Sequence, residues 1–177
     1  ERILKQGGNA FDAAVAVSAV LAVVEPYSSG LGGGGLWLLH RARDGREVLI
    51  DGRETAPGKA SASMYLDANG TPIAAASLNG PSAAAIPGIP AALAHLAQNY
   101  GQLPLAHSLA PAIALARDGF RLDRRFAGML TNYQGKLRAD PQAAGIFLRD
   151  GSIPVAGSVL RQPQLAATLT EIARHGA

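Results

Sequence analysis

Asp51-Gly52-Arg53-Glu54-Thr55-Ala56-Pro57 sets a guanidinium between two carboxylates, directly after the apolar run Val48-Leu49-Ile50. A planar fork of donors at a strand end can hold a carboxylate through two parallel hydrogen bonds. Arg53 is therefore the residue of this chain best suited to binding an anionic group. The competing reading keeps its charge at home, in an ion pair with Asp51 or Glu54, and residue types alone leave both open. A second motif, Gly30-Leu31-Gly32-Gly33-Gly34-Gly35, follows Glu25-Pro26-Tyr27-Ser28-Ser29. Glycine can take φ > 0 and lets another backbone or a ligand come close, so the run marks a demanding path between two ordered segments. It satisfies G-x-G-x-x-G in form, with Glu54 as a downstream acid. That dinucleotide fingerprint needs a strand before the glycines and a helix after. The pattern here gives the reverse order, which favours a structural helix-to-strand passage.

No other residues assemble into a recognisable reaction centre. His40, His95, His107 and His175 show no metal-ligand spacing, and a His-Glu-x-x-His helix is absent. Ser28 and Ser29 lack the Gly-x-Ser-x-Gly elbow of hydrolases and read as loop or cap residues. Without cysteine there is neither a disulfide nor a thiolate metal site. Arg121, Arg124 and Arg125 form a weak basic cluster that reads as a solvated helix start. With a net charge of only +3 and no aromatic-interleaved basic stripe, nucleic acid is a poor partner. No nucleophile–base pair is legible, so the catalytic groups lie outside this chain or the chain is not catalytic.

The elements that must position Arg53 follow from patterning. Apolar residues make up 48% of the 177 and charged residues 16%, enough for a real core and too apolar for disorder. Glu1 to Gln6 reads as the last turns of a helix stopped by Gly7-Gly8. Asn9 caps the next helix, with Asp12 completing a capping-box-like start, and Pro26 ends it after Glu25. That helix is apolar on nearly every face and is expected to be buried on most sides. Its apolar run, Ala13 to Val24, is too short to span a bilayer, which takes about 20 residues. Leu36 to Arg41 and Glu47 to Asp51 read as a hairpin turning at Arg43-Asp44-Gly45-Arg46. Ala56 to Pro90 reads as irregular chain with turns at Asn69-Gly70 and Asn79-Gly80. Helices follow over Pro90–Asn99, Leu105–Arg117 ending at Gly119, Asp123 through Leu137, and Gln164–His175 after Pro163. Asp140-Pro141 reads as turn punctuation. The expectation is a single partial domain over 1–177: helix, glycine loop and strands over 1–57, then loop and a mainly helical region over 58–177. The start at Glu1, in mid-helix and without methionine, reads as a fragment of a longer protein.

Gly7-Gly-Asn-Ala-Phe-Asp-Ala-Ala-Val-Ala16, Glu25-Pro through Gly35 and Asp51-Gly-Arg-Glu-Thr-Ala-Pro57 resemble the γ-glutamyltranspeptidase family. Ile86-Pro-Gly-Ile-Pro, Tyr100-Gly-Gln-Leu-Pro, Leu109-Ala-Pro-Ala-Ile, Ala116-Arg-Asp-Gly-Phe and Leu160-Arg-Gln-Pro-Gln-Leu-Ala extend the resemblance through essentially the whole chain in the family's order. It implies an α/β (α+β) fold, the αββα sandwich of N-terminal nucleophile hydrolases. This chain would be the front of the large subunit of a self-cleaving precursor. It implies cleavage of γ-glutamyl amides such as glutathione by an N-terminal threonine, and transfer of the γ-glutamyl group to water or an amino acid. That threonine belongs to the small subunit, so this chain carries no catalytic residue and is expected to be inactive alone. The family's carboxylate-holding arginine maps onto Arg53. The small subunit is the implied partner, no cofactor or metal is implied, and a periplasmic or secreted location is expected. The alternatives are a related acylase (cephalosporin acylase-like), a poly-γ-glutamate depolymerase-like enzyme and a non-catalytic scaffold homologue.

Overall fold

The computed structural model describes all of residues 1–177. The chain runs α1 (Arg2–Lys5), α2 (Ala10–Val24), α3 (Pro26–Ser29), β1 (Gly35–Arg41), β2 (Arg46–Gly52), α4 (Ile89–Tyr100), α5 (Leu105–Asp118), β3 (Phe120–Arg121), α6 (Arg124–Asn132), α7 (Gln134–Ala139), α8 (Pro141–Phe147), β4 (Val159–Leu160) and α9 (Pro163–His175), with a 3-10 turn at Pro81–Ala83. It divides into two compact units, one of Glu1–Leu31 with Leu93–Ala177 and one of Gly32–Ala92. No helix is long and apolar enough to cross a membrane.

The first unit is helical. Asn9 caps α2 through its side chain, and Asp12 closes the capping box on the Asn9 backbone N–H at 2.9 Å. Val15, Ala16, Ala19, Ala22 and Val23 form one buried stripe of α2, at the i, i+4, i+8 spacing that keeps residues on a common helix face. The stripe packs on α5, which in turn packs on α9. Leu109, Ala112 and Ala116 of α5 are fully buried, as is Leu169 of α9. Alanines at such contacts let helix axes approach closely. As its all-round apolar composition implied, α2 is covered on most sides: only Ala10 and Val17 of its fifteen residues are exposed, Val17 at 57%. Ser108, also fully buried, carries a hydroxyl without a hydrogen-bond partner. The buried Gln162 donates its amide to the Val23 carbonyl at 2.9 Å, satisfying an acceptor that a helix C-terminus leaves open. A second cluster joins Leu122, Phe126, Leu130 and Leu160, with Tyr27 edge-on to Phe126 at 5.3 Å between ring centroids.

Three local expectations in this unit change. The helix expected from Asp123 through Leu137 is two helices, broken at Tyr133, where φ is −103° and ψ 7°. Asn132 and Gly135 are poor helix formers, and Thr131 turns its hydroxyl back onto the Ala127 carbonyl. Asp140-Pro141 starts α8: the Asp140 carboxylate accepts from the Gln142 and Ala143 N–H groups at 2.8 and 3.1 Å, and proline takes the first helical position. Ser28 and Ser29 end the short helix α3.

In the second unit β1 and β2 pair antiparallel from Gly35↔Gly52 to Arg41↔Arg46. Trp37, Leu39, Val48 and Ile50 share the more buried face, while Leu36, Leu38 and Leu49 share the exposed one. The turn is fixed by Gly45 at φ 67° and by Asp44, whose carboxylate accepts from Arg41 Nε at 2.9 Å and Nη2 at 2.6 Å. The Arg41 hydrogen bonds hold the Asp44 carboxyl down at about 2 from an ordinary 3.8. A depressed pKa gives a contribution that is present above the unfolded value and fades as pH falls through the folded one. The Asp44 carboxyl carbon, followed by NMR, is therefore expected to titrate near pH 2, and a midpoint near 3.8 would mean that the turn contact does not persist in solution. Residues 56–85 are irregular apart from the 3-10 turn, with Asp67 Oδ1 accepting from Asn69 and Thr71 N–H around the expected turn at Gly70.

Candidate functional site

Arg53 emerges one residue past β2, at the strand end where the sequence places it. Its backbone N–H donates to Asp51 Oδ1 at 2.9 Å, and its Nε donates to Glu54 Oε2 at 3.1 Å. The two flanking carboxylates thus do different work. Asp51 shapes the backbone, and Glu54 holds the inner edge of the guanidinium. The side chain remains 67% exposed, and its two terminal Nη groups make no hydrogen bond, which leaves the outer edge of the fork open to a ligand. The ion pair and the anion-binding reading therefore coexist, because Glu54 occupies one donor and leaves the bidentate pair of a second edge unspent. Glu54's own backbone N–H, followed by the Arg53 side chain and the Gly34 N–H, holds the Glu54 carboxyl below the usual carboxylate range. It stays charged beside Arg53 through neutral pH.

Two pieces of backbone fix this strand end. Thr55 pairs with Ile86 through reciprocal hydrogen bonds of 3.2 and 2.9 Å. The Gly33 carbonyl accepts from the Gly88 and Ile89 N–H groups at 3.1 and 3.2 Å, which serves the amino end of α4 in place of a side-chain cap. The glycine run and the Ile86-Pro87-Gly88 turn therefore meet at Arg53. None of Gly30, Gly32, Gly34 and Gly35 has a positive φ. Of the two uses of glycine expected for the run, close approach is the one the structure makes. A helix precedes the run and a strand follows it, so no helix N-terminus opens after the glycines and the dinucleotide arrangement does not form.

The remaining groups stay apart. His40 lies 3.7 Å from Glu47 on the exposed hairpin face, and His175 lies 3.5 Å from Glu171. No three His, Asp or Glu side chains gather as a metal site would require. Arg124 and Arg125 open α6, while Arg121 donates to the Gly157 carbonyl. Hollows of about 580 and 340 Å³ in the first unit are lined by residues such as Arg149 and Arg161, and Phe126 and Leu137, respectively. Neither gathers a nucleophile with a base. Sequence reasoning missed the part played by Gly34 and Gly88 at Arg53. The only signal for it was glycine standing where no tight turn is needed.

The whole chain, residues 1–177, matches the family described as gamma-glutamyltranspeptidase. The glutathione hydrolase proenzyme of Escherichia coli (strain K12) is 41% identical over 175 residues, covering 98% of this chain and 30% of that protein. The Acylase ACY 1 proenzyme of Pseudomonas sp. (strain SE83) is 39% identical over 181 residues, covering 99% of this chain and 32% of that protein. The crystal structure of Helicobacter pylori gamma-glutamyltranspeptidase matches with a TM-score of 0.94 at 35% identity, covering 98% of this chain and 50% of that one. The chain thus spans about a third of these curated relatives and half of that solved chain. At this likeness its fold is the corresponding part of an N-terminal nucleophile hydrolase, as the sequence motifs implied.

Proposed function

The chain belongs to the gamma-glutamyltranspeptidase family, and we propose that it serves as the substrate-holding front part of an enzyme that cleaves γ-glutamyl amides such as glutathione. Arg53 holds the α-carboxylate of the γ-glutamyl group through its open Nη edge, with Glu54 keeping the guanidinium in place. The observation that carries this reading is the state of Arg53: anchored at Nε and at its backbone N–H, free at both Nη groups, and 67% exposed at a strand end. A carboxylate is the ligand that matches such a fork.

The reacting groups lie outside residues 1–177. A threonine at the amino terminus of a small subunit, released by self-cleavage of a shared precursor, attacks the amide carbonyl. Its own α-amino group takes the hydroxyl proton and passes it to the departing amine. The acyl-enzyme then gives the γ-glutamyl group to water or to an amino acid. The small subunit is this chain's partner, and a periplasmic or secreted location accompanies the assembly. No residue of this chain, Thr55 included, acts as the nucleophile: the Thr55 nitrogen is a peptide N–H donating to the Ile86 carbonyl, not the free α-amine that the attack uses as its base.

Likeness to an acylase proenzyme favours a second reading on the same scaffold, cleavage of a different acyl amide. The mass and amino-terminal sequence of the purified product of the intact reading frame test the proposal. Two fragments are expected, the smaller beginning with threonine, and the pair should release the amine from a γ-glutamyl anilide. A processed pair that hydrolyses only other acyl amides would favour the acylase, and a single uncleaved chain without activity would overturn both enzyme readings.

A further inference from the structure

The glycines of the Gly32–Ala92 unit differ in what a side chain would meet. A Cβ at Gly34 would lie 2.6 Å from Glu54 Oε2, 2.7 Å from Arg53 Cα and 2.8 Å from Glu54 N. At Gly88 a Cβ would overlap the Gly52 carbonyl oxygen and lie 2.6 Å from the Arg53 oxygen. A Cβ at Gly32, Gly45, Gly58, Gly70 or Gly80 would meet no heavy atom within 4 Å beyond the adjoining residues. Gly35 and Gly52 are tight as well, but against side chains: Trp37 at 3.0 Å from a Cβ at Gly35, and Ala92 Cβ and the Trp37 ring at 2.6 and 2.7 Å from one at Gly52. Gly34 and Gly88 differ in crowding the backbone of Arg53 and its immediate neighbours. Neither has a positive φ, so the need for glycine there is one of space and not of backbone conformation.

We propose that Gly34 and Gly88 are positioning residues for Arg53, clamping its backbone from two directions so that the guanidinium fork is aimed before substrate arrives. The proposal rests on the reading of Arg53 as the carboxylate-binding residue. Its physical basis is the kind of atom encountered. A flexible side-chain end can swing aside, whereas the Arg53 Cα and the Gly52 and Arg53 carbonyls move only if the strand end moves. The two flanks are also tied to each other, because the Gly33 carbonyl holds the Gly88 and Ile89 N–H groups. A methyl group on either flank therefore transmits its displacement to Arg53. At Gly34 it also displaces the Glu54 carboxylate that holds Nε. A bidentate contact is sensitive to such shifts, since misplacement by about 1 Å can cost on the order of 100-fold.

The test uses the full-length protein, a γ-glutamyl anilide donor, and Gly34→Ala and Gly88→Ala made singly and each combined with Arg53→Ala. Gly58→Ala, with open space around it, serves as the control. The expected result is a KM raised roughly 10- to 100-fold by either glycine substitution, with kcat within about threefold, and no change in Gly58→Ala. Combined with Arg53→Ala, the same substitutions should change KM less than about twofold, because a residue acting through Arg53 has nothing left to position. A rise in KM that persists without Arg53, or an unchanged KM in both single variants, overturns the proposal. So does failure of both variants to accumulate as folded protein, which would make the glycines residues of the fold alone. If Arg53→Ala itself leaves KM unchanged, the failure belongs to the carboxylate-binding reading.

Discussion

Arg53→Ala is expected to lower kcat/KM for a γ-glutamyl anilide by about 30- to 1000-fold in the full-length protein. This corresponds to about 2–4 kcal/mol for a lost charge-assisted, two-pronged contact. Most of the change should appear in KM, because the α-carboxylate is held equally in the ground state and the transition state while bond breaking occurs at the far end of the glutamyl group. Arg53→Lys should fall between the two, as it keeps a charge and loses the planar fork. Folded stability should hardly move, since the side chain is largely exposed and its one ion pair with Glu54 lies at the surface. Steady-state kinetics with melting curves on the same samples separate these effects. An unchanged KM in Arg53→Ala would remove Arg53 from the substrate site.

The largest expected effect on stability comes from Asp12→Ala. The Asp12 carboxylate is fully buried and accepts three backbone N–H groups: Asn9 and Gln102 on Oδ2, each at 2.9 Å, and Leu103 on Oδ1 at 3.3 Å. Asn9 adds a bond from its side-chain amide to the Tyr100 carbonyl at 2.7 Å. One carboxylate thus caps α2 and holds the turn after α4. Truncation removes the acceptor of three part-buried N–H groups and empties a fully buried position, at a cost of about 3–5 kcal/mol. For a chain of this size that is a fall in melting temperature of roughly 6–20 °C. Asp12→Asn should recover little, because an amide NH2 would face other N–H groups. Thermal denaturation measures the difference, and a melting temperature within about 2 °C of the parent protein would show that the network contributes little.

The features readable in the sequence are those that neighbouring residues decide. Asn9 with Asp12, Gly119 at φ 95° and Pro163 at the head of α9 are set within a turn or two of helix, and their chemistry is written in adjacent letters. The hairpin register follows from alternation and Asp44-Gly45. Arg53 was legible for the same reason, as a charge at the end of an apolar strand. Elements that need a distant partner were not. β3 and β4 are two residues each and exist only because they pair with each other, and α8 gained its start from a proline that equally signals a turn. Gly34 and Gly88 belong to this second class: what makes them glycine is backbone from residues 52–54, and nothing beside either position announces it. That the carboxylate of Asp12 reaches across to Gln102 and Leu103 was hidden likewise, although its capping role was plain.

The first unit is split in sequence, with Gly32–Ala92 inserted between its two parts, and this sets an order of events during synthesis. α2 is complete at Val24, but α5, which buries its Ala/Val stripe, begins about 80 residues later, and α9 about 60 after that. At roughly 5–20 residues per second on the ribosome, the stripe waits about 4–16 s for α5 and longer for α9. During that interval the inserted unit can emerge whole, since its hairpin and its bridges lie within residues 32–92. The Arg53 region can therefore form before α2 has met α5, and it is the Ala/Val stripe of α2 that needs shelter in the meantime.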